Sequence, residues 1–278
     1  MRRTIVLWSI LLCFLIACEP VEKANVDDEV LVARMGTLAL PASEAGSLSC
    51  TNPTMGMMST CQEEAERILA STVRLEFNGL DEIGHATVIG GRYLITHNHY
   101  SVSAEALSRG GDGLVTSVSV RRVNGDVVLL KVPLSYFSVE MIAPEVMLLD
   151  FREYSGVGFF DSLGLPSAEI SSVTDLTLQP GNVVAQIDWD MTTSHVSWAR
   201  VTAVHAEGST PYIVLDSFVE QGASGGGVFY NGIHIANNWS RNTDRQAETG
   251  EVLGRYSLAA LNTLPVVSNT VEISSAGN

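Results

Sequence analysis

A succession of short β-type segments separated by turn sequences is the feature that most constrains the fold of this chain. From Ser71 onward, apolar and β-branched runs follow one another, with Asn78-Gly79, Gly90-Gly91, Gly110-Gly111 and Asn124-Gly125 between them. Asn-Gly between two apolar runs is the strongest short hairpin signal. Long helical patterns do not alternate with these runs, which argues against a parallel α/β sheet and predicts an all-β fold.

The predicted elements are one short helix followed by a series of strands. The helix is expected over Gln62–Ala70. Strands are expected over Thr72–Phe77, Ala86–Ile89, Tyr93–Thr96, Leu114–Val123, Val127–Val132, Val146–Leu149, Val183–Ile187, Arg200–Ala206, Tyr212–Leu215, Gly227–Tyr230 and Ile233–Ala236.

The charge balance excludes one broad class of partner. The chain has 278 residues, with 16 Lys and Arg against 31 Asp and Glu, and a formal net charge of −15 at pH 7. Nucleic-acid binding depends on clustered Lys and Arg that face phosphates, so we expect no nucleic-acid partner. The length is sufficient for one large domain or two small ones with a substantial core.

The first residues have the pattern of an export signal. Arg2 and Arg3 precede an apolar run over Ile5–Ala17, and Leu15-Ile16-Ala17-Cys18 resembles the lipobox of bacterial lipoproteins. This resemblance implies that residues 1–17 are a signal peptide, that the Cys18 thiol is lipidated, and that the mature protein is anchored on the extracytoplasmic side of a bacterial membrane. An ordinary cleaved signal followed by an incidental cysteine is the alternative.

Two cysteines remain once the signal and the lipidated cysteine are set aside. Cys50 and Cys61 lie in a stretch without sustained periodicity, so residues 18–66 are predicted to be a tether and N-terminal extension. Because export leads to an oxidising compartment, we expect these two cysteines to form a local disulfide. A metal site would need further ligands, and no His lies between residue 19 and His85.

A glycine-rich segment presents a serine that could act as a nucleophile. Gly222, Ser224 and Gly226 belong to a run in which backbone N–H groups can approach a bound carbonyl oxygen closely. Their spacing also satisfies the G-x-S-x-G motif of α/β-hydrolases. That fold requires an acid and then a His after the Ser, whereas the chain has only His234 there, before Asp244. The α/β-hydrolase interpretation is therefore disfavoured.

An upstream segment carries the candidate base. Two short β-type runs joined by Gly90-Gly91 end in Thr96-His97-Asn98-His99. This arrangement resembles the chymotrypsin-like serine proteases, in which a Thr-Ala-Ala-His motif carries the general base. The resemblance implies that His99 is the catalytic base and that His97 is structural. A metal site at the two histidines is the alternative, but it needs a third ligand with a recognisable position.

Two carboxylates compete for the role of the acid that orients the base. The family places an Asp before an apolar strand between the His and the Ser, and Glu145, followed by Val146–Leu149, matches that position. Asp126, followed by Val127–Val132, is the alternative acid, although its place after Asn124-Gly125 predicts a hairpin turn. We favour Glu145 over Asp126, with Asp150 as a third candidate.

The resemblance implies a fold and a reaction. The fold is all-β, with two six-stranded antiparallel barrels and the active site between them, in a protease domain over residues 67–265 followed by a tail over 266–278. The reaction is endopeptidase cleavage by Ser224, with Gly222 and Ser224 N–H groups as oxyanion hole. No cofactor or metal is implied, and a peptide or protein is the expected substrate.

Two departures from the family pattern bear on function. Ala223 stands where digestive relatives have an Asp that pairs with a newly cut N-terminus, so that activation switch is absent. Phe218 stands at the base of the implied specificity pocket, which predicts an uncharged preference and no cleavage after Lys or Arg. Because the Thr-His-Asn-His motif and the Glu acid are unusual, a catalytically inactive protease fold that serves as a surface binding or scaffold lipoprotein is the alternative function.

Overall fold

The computed structural model describes residue 50 and residues 58–78, 82–97, 117–133, 136–143, 145–151, 158–171, 177–246, 251–262, 266–267 and 270–271. All of them belong to one compact unit spanning residues 42–278. Cys18 and the signal segment lie outside the described residues, as does His99. No helix within the described ranges is long and apolar enough to span a membrane.

Two helices and fifteen strands make up the described part of the chain. The helices are α1 (Met58–Ala70) and α2 (Phe159–Ser162). The strands are β1 (Thr72–Asn78), β2 (Glu82–Ile89), β3 (Tyr93–His97), β4 (Ser117–Arg122), β5 (Val127–Pro133), β6 (Ser138–Ala143), β7 (Val146–Asp150), β8 (Val183–Trp189), β9 (Ser194–His205), β10 (Tyr212–Leu215), β11 (Gly227–Tyr230), β12 (Ile233–Arg245), β13 (Val252–Leu261), β14 (Val266–Val267) and β15 (Thr270–Val271).

The first seven strands form one antiparallel sheet in the order β5-β4-β1-β2-β3-β7-β6. Strands β3 and β7 are buried along their whole length. Since side chains alternate between the faces of a strand, each strand contributes to two cores. Leu94 and Met147 pack into the core of the sheet, whereas Ile95 and Leu148 pack with Ala260 of β13. One face of β3 and β7 therefore lies where the two halves of the unit meet.

The second half of the unit is a closed antiparallel barrel. Its six strands follow the order β10-β13-β12-β11-β8-β9, and closure leaves the barrel without an unpaired edge. Its core consists of small and branched side chains such as Val184, Ile213, Val228 and Ala259. The predicted fold class, all-β and antiparallel in two halves, is thus confirmed, with the closed barrel in the second half and an open seven-stranded ladder among the described strands of the first.

The predicted strands correspond to observed ones, with differences where local signals are weak. Strand β6 (Ser138–Ala143) was not predicted, because its polar–apolar alternation covers only four residues, from Ser138 to Met141. Strands β9 and β12 extend well beyond the predicted ranges, over 12 and 13 residues. Polar residues of these extensions are tolerated because an antiparallel barrel can expose one face to water.

The helix at the start of the unit is held by the expected disulfide. Cys61 lies on α1 and is bonded to Cys50, with 5.7 Å between their Cα atoms and a sequence separation of 11. The C-terminal end of α1 continues into β1 through Ser71 and Thr72, whose hydroxyls both donate to the Ile68 carbonyl. Together with the Ser71 N–H, which donates to the same oxygen over 3.2 Å, these bonds terminate the helix at the Ile68 carbonyl.

Candidate active site

The segment before Ser224 is a tight turn stabilised by a glycine. The Ala223 N–H donates to the Glu220 carbonyl over 3.1 Å, which closes a four-residue turn. Gly222 occupies the third position of this turn with φ +102°, a conformation that residues with a Cβ rarely adopt. Trp189 also excludes a side chain, because a Cβ on Gly222 would lie 2.7 Å from its ring.

A second turn follows at once and contains Ser224. The Gly226 N–H donates to the Ala223 carbonyl over 2.9 Å, and Gly225 has φ +76°. Ser224 is therefore the second residue of a turn whose third position needs glycine. The sequence predicted this glycine-rich presentation of the serine, and the fold leaves Ser224 partly exposed to solvent.

Asn238 on β12 is hydrogen-bonded to both turns of the serine loop. Its backbone bonds both ways with the loop: the Gly225 N–H donates to the Asn238 carbonyl over 3.0 Å, and the Asn238 N–H donates to the Gly226 carbonyl over 2.8 Å. Its side-chain Nδ2 donates to the Ala223 and Ile187 carbonyls over 3.1 and 2.6 Å. This buried amide fixes the serine loop to the barrel.

The serine loop also lies against the end of strand β3. A Cβ on Gly225 would lie 3.0 Å from the His97 backbone nitrogen and would overlap the Thr96 hydroxyl. The Thr96 hydroxyl donates to the His85 carbonyl over 2.6 Å, and the His85 N–H donates to the Ser224 carbonyl over 2.9 Å. The structure therefore brings the Ser224 motif and the Thr96-His97 motif into direct contact.

Glu145 lies at the same end of the sheet. It directly precedes β7, and β7 pairs with β3 so that His97 is opposite Val146. Its Oε2 lies 3.3 Å from His97 Nε2, with the His97 side chain 5% exposed and the Glu145 side chain 25% exposed. Among the described residues, Glu145 thus contacts the histidine for which the sequence predicted a structural role.

The other two candidate acids lie elsewhere. Asp126 is exposed in the turn between β4 and β5, where its Oδ2 accepts a bond from the Asn124 side chain over 2.8 Å. Asp150 is buried at the far end of β7 and lies 3.2 Å from the guanidinium of Arg92. Of the three carboxylates, only Glu145 is at the strand end that contacts the serine loop.

Within the part of the chain that the structure describes, no acceptor is hydrogen-bonded to the Gly222 N–H. By contrast, the neighbouring Ala223, Gly225 and Gly226 N–H groups are all bonded within the loop or to β12. An N–H group left unpaired beside a partly exposed serine is the arrangement that an oxyanion hole needs.

A cavity of about 270 Å³ opens beside Ser224. Its lining residues come from the serine loop and from β12, namely Val219, Glu220, Gln221, Ser224, Asn238, Trp239, Ser240 and Arg241. Arg241 Nη1 lies 2.9 Å from Glu220 Oε2, so the cavity carries an ion pair. Phe218 directly precedes the lining segment, and the guanidinium groups of Arg241 and Arg255 each lie 5.2 Å from its ring.

Three residues of this site were not predicted from the sequence. Asn238 and Trp239 lie on a predicted strand's unrecognised extension, and His85 is only one residue of a β-type run. The adjacent polar and aromatic pair Asn238-Trp239 lies beyond the predicted strand Ile233–Ala236, so no predicted element pointed to it. No group of three metal-ligating side chains occurs within the described ranges.

No protein-family model and no curated protein matches the sequence. Solved structures similar to this chain include three of proteases. The inactive form of the Rv3671c protease is 15% identical, the match covers 70% of this chain and 85% of that one, and the TM-score is 0.47. A serine-to-alanine variant of Rv3671c from M. tuberculosis, also in an inactive form, is 13% identical, with coverages of 81% and 89% and a TM-score of 0.46. The HtrA-type protease AlgW, solved with a decapeptide, is 14% identical, with coverages of 71% and 62% and a TM-score of 0.47.

Proposed function

We propose that this protein is a serine endopeptidase whose nucleophile is Ser224. The observation that carries the proposal is the contact between the serine loop and the end of β3, with the Glu145 carboxylate at that same end. His99 follows His97 by two residues, and two residues span at most about 7 Å of extended chain. Nucleophile, base and acid are therefore proposed to meet where the two halves of the unit join.

The proposed reaction proceeds through an acyl-enzyme. The Ser224 hydroxyl oxygen attacks the peptide carbonyl carbon while the neutral imidazole of His99 takes its proton, and the carbonyl oxygen becomes an oxyanion. His99 then returns the proton to the leaving amine as the C–N bond breaks. Water, activated by the same imidazole, hydrolyses the ester and regenerates Ser224.

Glu145 and two backbone N–H groups are proposed to support these steps. The Glu145 carboxylate would accept the His99 Nδ1–H, which holds the ring tautomer and stabilises the imidazolium. The Gly222 and Ser224 N–H groups would donate to the oxyanion, and one such donor is worth about 3 kcal/mol of transition-state stabilisation. The described contact of Glu145 with His97 supports a carboxylate anchored at this strand end.

The cavity beside Ser224 is proposed to receive the side chain before the cleaved bond. Two guanidinium groups lie on Phe218, and Arg241 on the cavity wall is neutralised by Glu220. Among the described residues that line the cavity, Glu220 is the only acidic one and is already paired with Arg241, so no free carboxylate of this lining can pair with a substrate Lys or Arg. We expect cleavage after uncharged residues; efficient cleavage after Lys in a peptide library would contradict this preference.

The proposed location is the extracytoplasmic side of a bacterial membrane, with a lipid on Cys18. A single or double acyl chain on this cysteine would anchor the proposed mature protein to the bilayer. In a bacterial host, the Cys18→Ala variant should move from the membrane fraction to a soluble or unprocessed form. Unchanged membrane partition with a normally cleaved N-terminus would contradict lipidation at Cys18.

Active-site labelling tests the endopeptidase proposal. A fluorophosphonate probe should label the wild-type protein, and Ser224→Ala should lose the label because the probe reacts only with an activated serine. Ser240→Ala, a change in the same cavity, is the matched control and should keep the label. Absence of label on folded wild-type protein would instead support a catalytically inactive binding or scaffold module.

A further inference from the structure

His85 is a buried side chain that takes no part in the reaction proposed above. It lies on β2 with an exposed fraction of 0%. Its ring bridges two elements of the second half: Nδ1 is 2.7 Å from the Gly222 carbonyl oxygen, and Nε2 is 2.7 Å from the Ser194 hydroxyl oxygen at the start of β9. A residue of the first sheet therefore reaches the loop that contains the nucleophile.

The two partners determine which ring nitrogen carries the hydrogen. A carbonyl oxygen can only accept, so Nδ1 must be the donor to Gly222. Burial, with a smaller effect of the nearby Arg74 charge, lowers the pKa of His85 to about 4 against the opposing effect of the Gly222 bond. The ring is therefore neutral near pH 7, and Nε2 accepts the hydrogen of the Ser194 hydroxyl.

The bond from His85 fixes the peptide plane between Gly222 and Ala223. The carbonyl of this peptide accepts from the His85 ring, and its N–H donates to the Glu220 carbonyl over 3.1 Å. A flip of the plane would break both bonds at once. Because Gly222 has no Cβ to restrict rotation, these two bonds help to set its ψ angle, and φ and ψ together relate its own N–H to the next peptide.

His85 holds the loop on the other side of Ala223 as well. Its backbone N–H donates to the Ser224 carbonyl over 2.9 Å. The ring of Trp189 packs against the His85 ring, with 5.7 Å between the two centroids, and the Arg74 guanidinium lies 4.5 Å from the centroid of the Trp189 ring. Exclusion of water by this packing strengthens the hydrogen bonds of His85.

We propose that His85 is a positioning residue, which holds the Gly222 and Ser224 N–H groups in the orientation that an oxyanion hole requires. This inference rests on the proposed peptidase function. It also supplies a substitute for the ion pair between an Asp and a newly cut N-terminus, which Ala223 cannot form. In this protein, a neutral imidazole from the first sheet orders the loop and no newly formed N-terminus is needed.

Hydrolysis of p-nitrophenyl acetate by wild type, His85→Leu and His85→Asn tests the inference. In His85→Leu, kcat should fall by about 10²-fold or more while KM stays within about threefold, because an oxyanion donor acts mainly in the transition state. The Asn side chain can place its Nδ2–H where the ring Nδ1–H stood. His85→Asn should therefore recover kcat to within about tenfold of wild type.

His234→Asn is the matched control. His234 is also fully buried, but its ring bonds to Asn262 and not to the serine loop. Its kcat should stay within about twofold of wild type at temperatures where circular dichroism shows the variant folded. If His85→Leu does not fold, Ser194→Ala replaces it: loss of the hydroxyl donor allows the other tautomer, and kcat should fall severalfold. The positioning role of His85 is overturned if folded His85→Leu or Ser194→Ala keeps the wild-type kcat. It is also overturned if the kcat of His85→Asn is no higher than that of His85→Leu.

A spectroscopic measurement separates this inference from the proposed function. Long-range ¹H–¹⁵N spectra of histidine rings distinguish the two neutral tautomers without any need for turnover. At pH 7 we expect His85 to be neutral with the hydrogen on Nδ1. A protein that shows this tautomer but no labelling of Ser224 would contradict the peptidase function alone. Hydrogen on Nε2 would overturn the positioning role of His85, whatever the activity.

Discussion

At the scale of single residues, strand position separates the two carboxylates that could serve the proposed base. Glu145 precedes β7 at the end that contacts the serine loop, whereas Asp126 is exposed in a hairpin turn. Both residues precede apolar runs, so local sequence does not separate them. Only the pairing of β7 with β3 places one of them beside the Thr96-His97 segment.

Separate alanine substitutions of the two carboxylates test this assignment. Glu145→Ala should lower kcat by about 10³–10⁴-fold, since a base without its acid loses tautomer control. Asp126→Ala removes a carboxylate of similar chemistry from an exposed turn and should leave kcat unchanged. Steady-state hydrolysis of one ester substrate by the two purified variants is sufficient. A crippled Asp126→Ala beside an active Glu145→Ala would reverse the assignment.

The two histidines of the Thr-His-Asn-His motif can be distinguished in the same way. His99→Ala should abolish turnover to within the residual level of a triad without its base, a loss of about 10⁴-fold or more. His97→Gln retains a donor toward Glu145 and should lower kcat by less than about tenfold. Fluorophosphonate labelling rates give an independent reading. Loss of labelling in His97→Gln but not in His99→Ala would make His97 the base.

At the scale of elements, the serine loop depends on glycines for two separable reasons. Gly225 needs a positive φ, and it also lies where a Cβ would overlap Thr96 and the His85 carbonyl. Gly208, in the connection between β9 and β10, has φ +106°, but no atom lies within 4 Å of the position that a Cβ would occupy there. A side chain at either position would adopt an unfavourable positive φ, but only at Gly225 would its Cβ also overlap neighbouring atoms.

Alanine substitutions at these two glycines separate the costs. Gly208→Ala should lower the free energy of unfolding by about 1 kcal/mol, the cost of a left-handed conformation. Gly225→Ala should lower it by about 3 kcal/mol or more and should also abolish labelling of Ser224, because the loop must leave β3. Urea titrations followed by tryptophan fluorescence measure both. Equal losses of stability would contradict a close packed contact at Gly225.

At the scale of the whole molecule, two buried histidines link stability to pH. Burial lowers the pKa of His85 to about 4 and that of His234 to about 3, below the ordinary value of 6.5. Below pH 6.5 the unfolded chain therefore binds protons that the folded chain does not. The free energy of unfolding must fall as the pH falls from 6.5 toward 4, by up to about 1.4 kcal/mol per pH unit for each ring.

Urea unfolding between pH 7.5 and pH 5 measures this dependence. The wild-type protein should lose stability steadily below pH 6.5, and His234→Asn should show a shallower slope because one of the two rings no longer titrates. The comparison uses slopes, so a lower absolute stability of the variant does not affect it. Identical slopes in the two proteins would show that His234 is not buried in its neutral form.

Much of the fold was predictable because its signals are local. Turn dipeptides and β-type runs located most strands, and the export context indicated the bond between Cys50 and Cys61, which are only 11 residues apart. Strand β6 was missed because its alternation covers only four residues, and the long extensions of β9 and β12 were missed because polar residues mask their periodicity.

The all-β fold class and the glycine-rich serine turn were predictable from the sequence, since both depend on neighbouring residues and their backbone preferences. The candidate acids and base came from the resemblance to chymotrypsin-like proteases. What holds the serine loop follows only from the tertiary structure. His85 and Gly222 are 137 residues apart, and Asn238 reaches Ile187 across 51. Such bonds depend on how the sheet and the barrel pack. No periodicity along the chain encodes that packing, which is why the residues that carry the loop emerged only from the folded molecule.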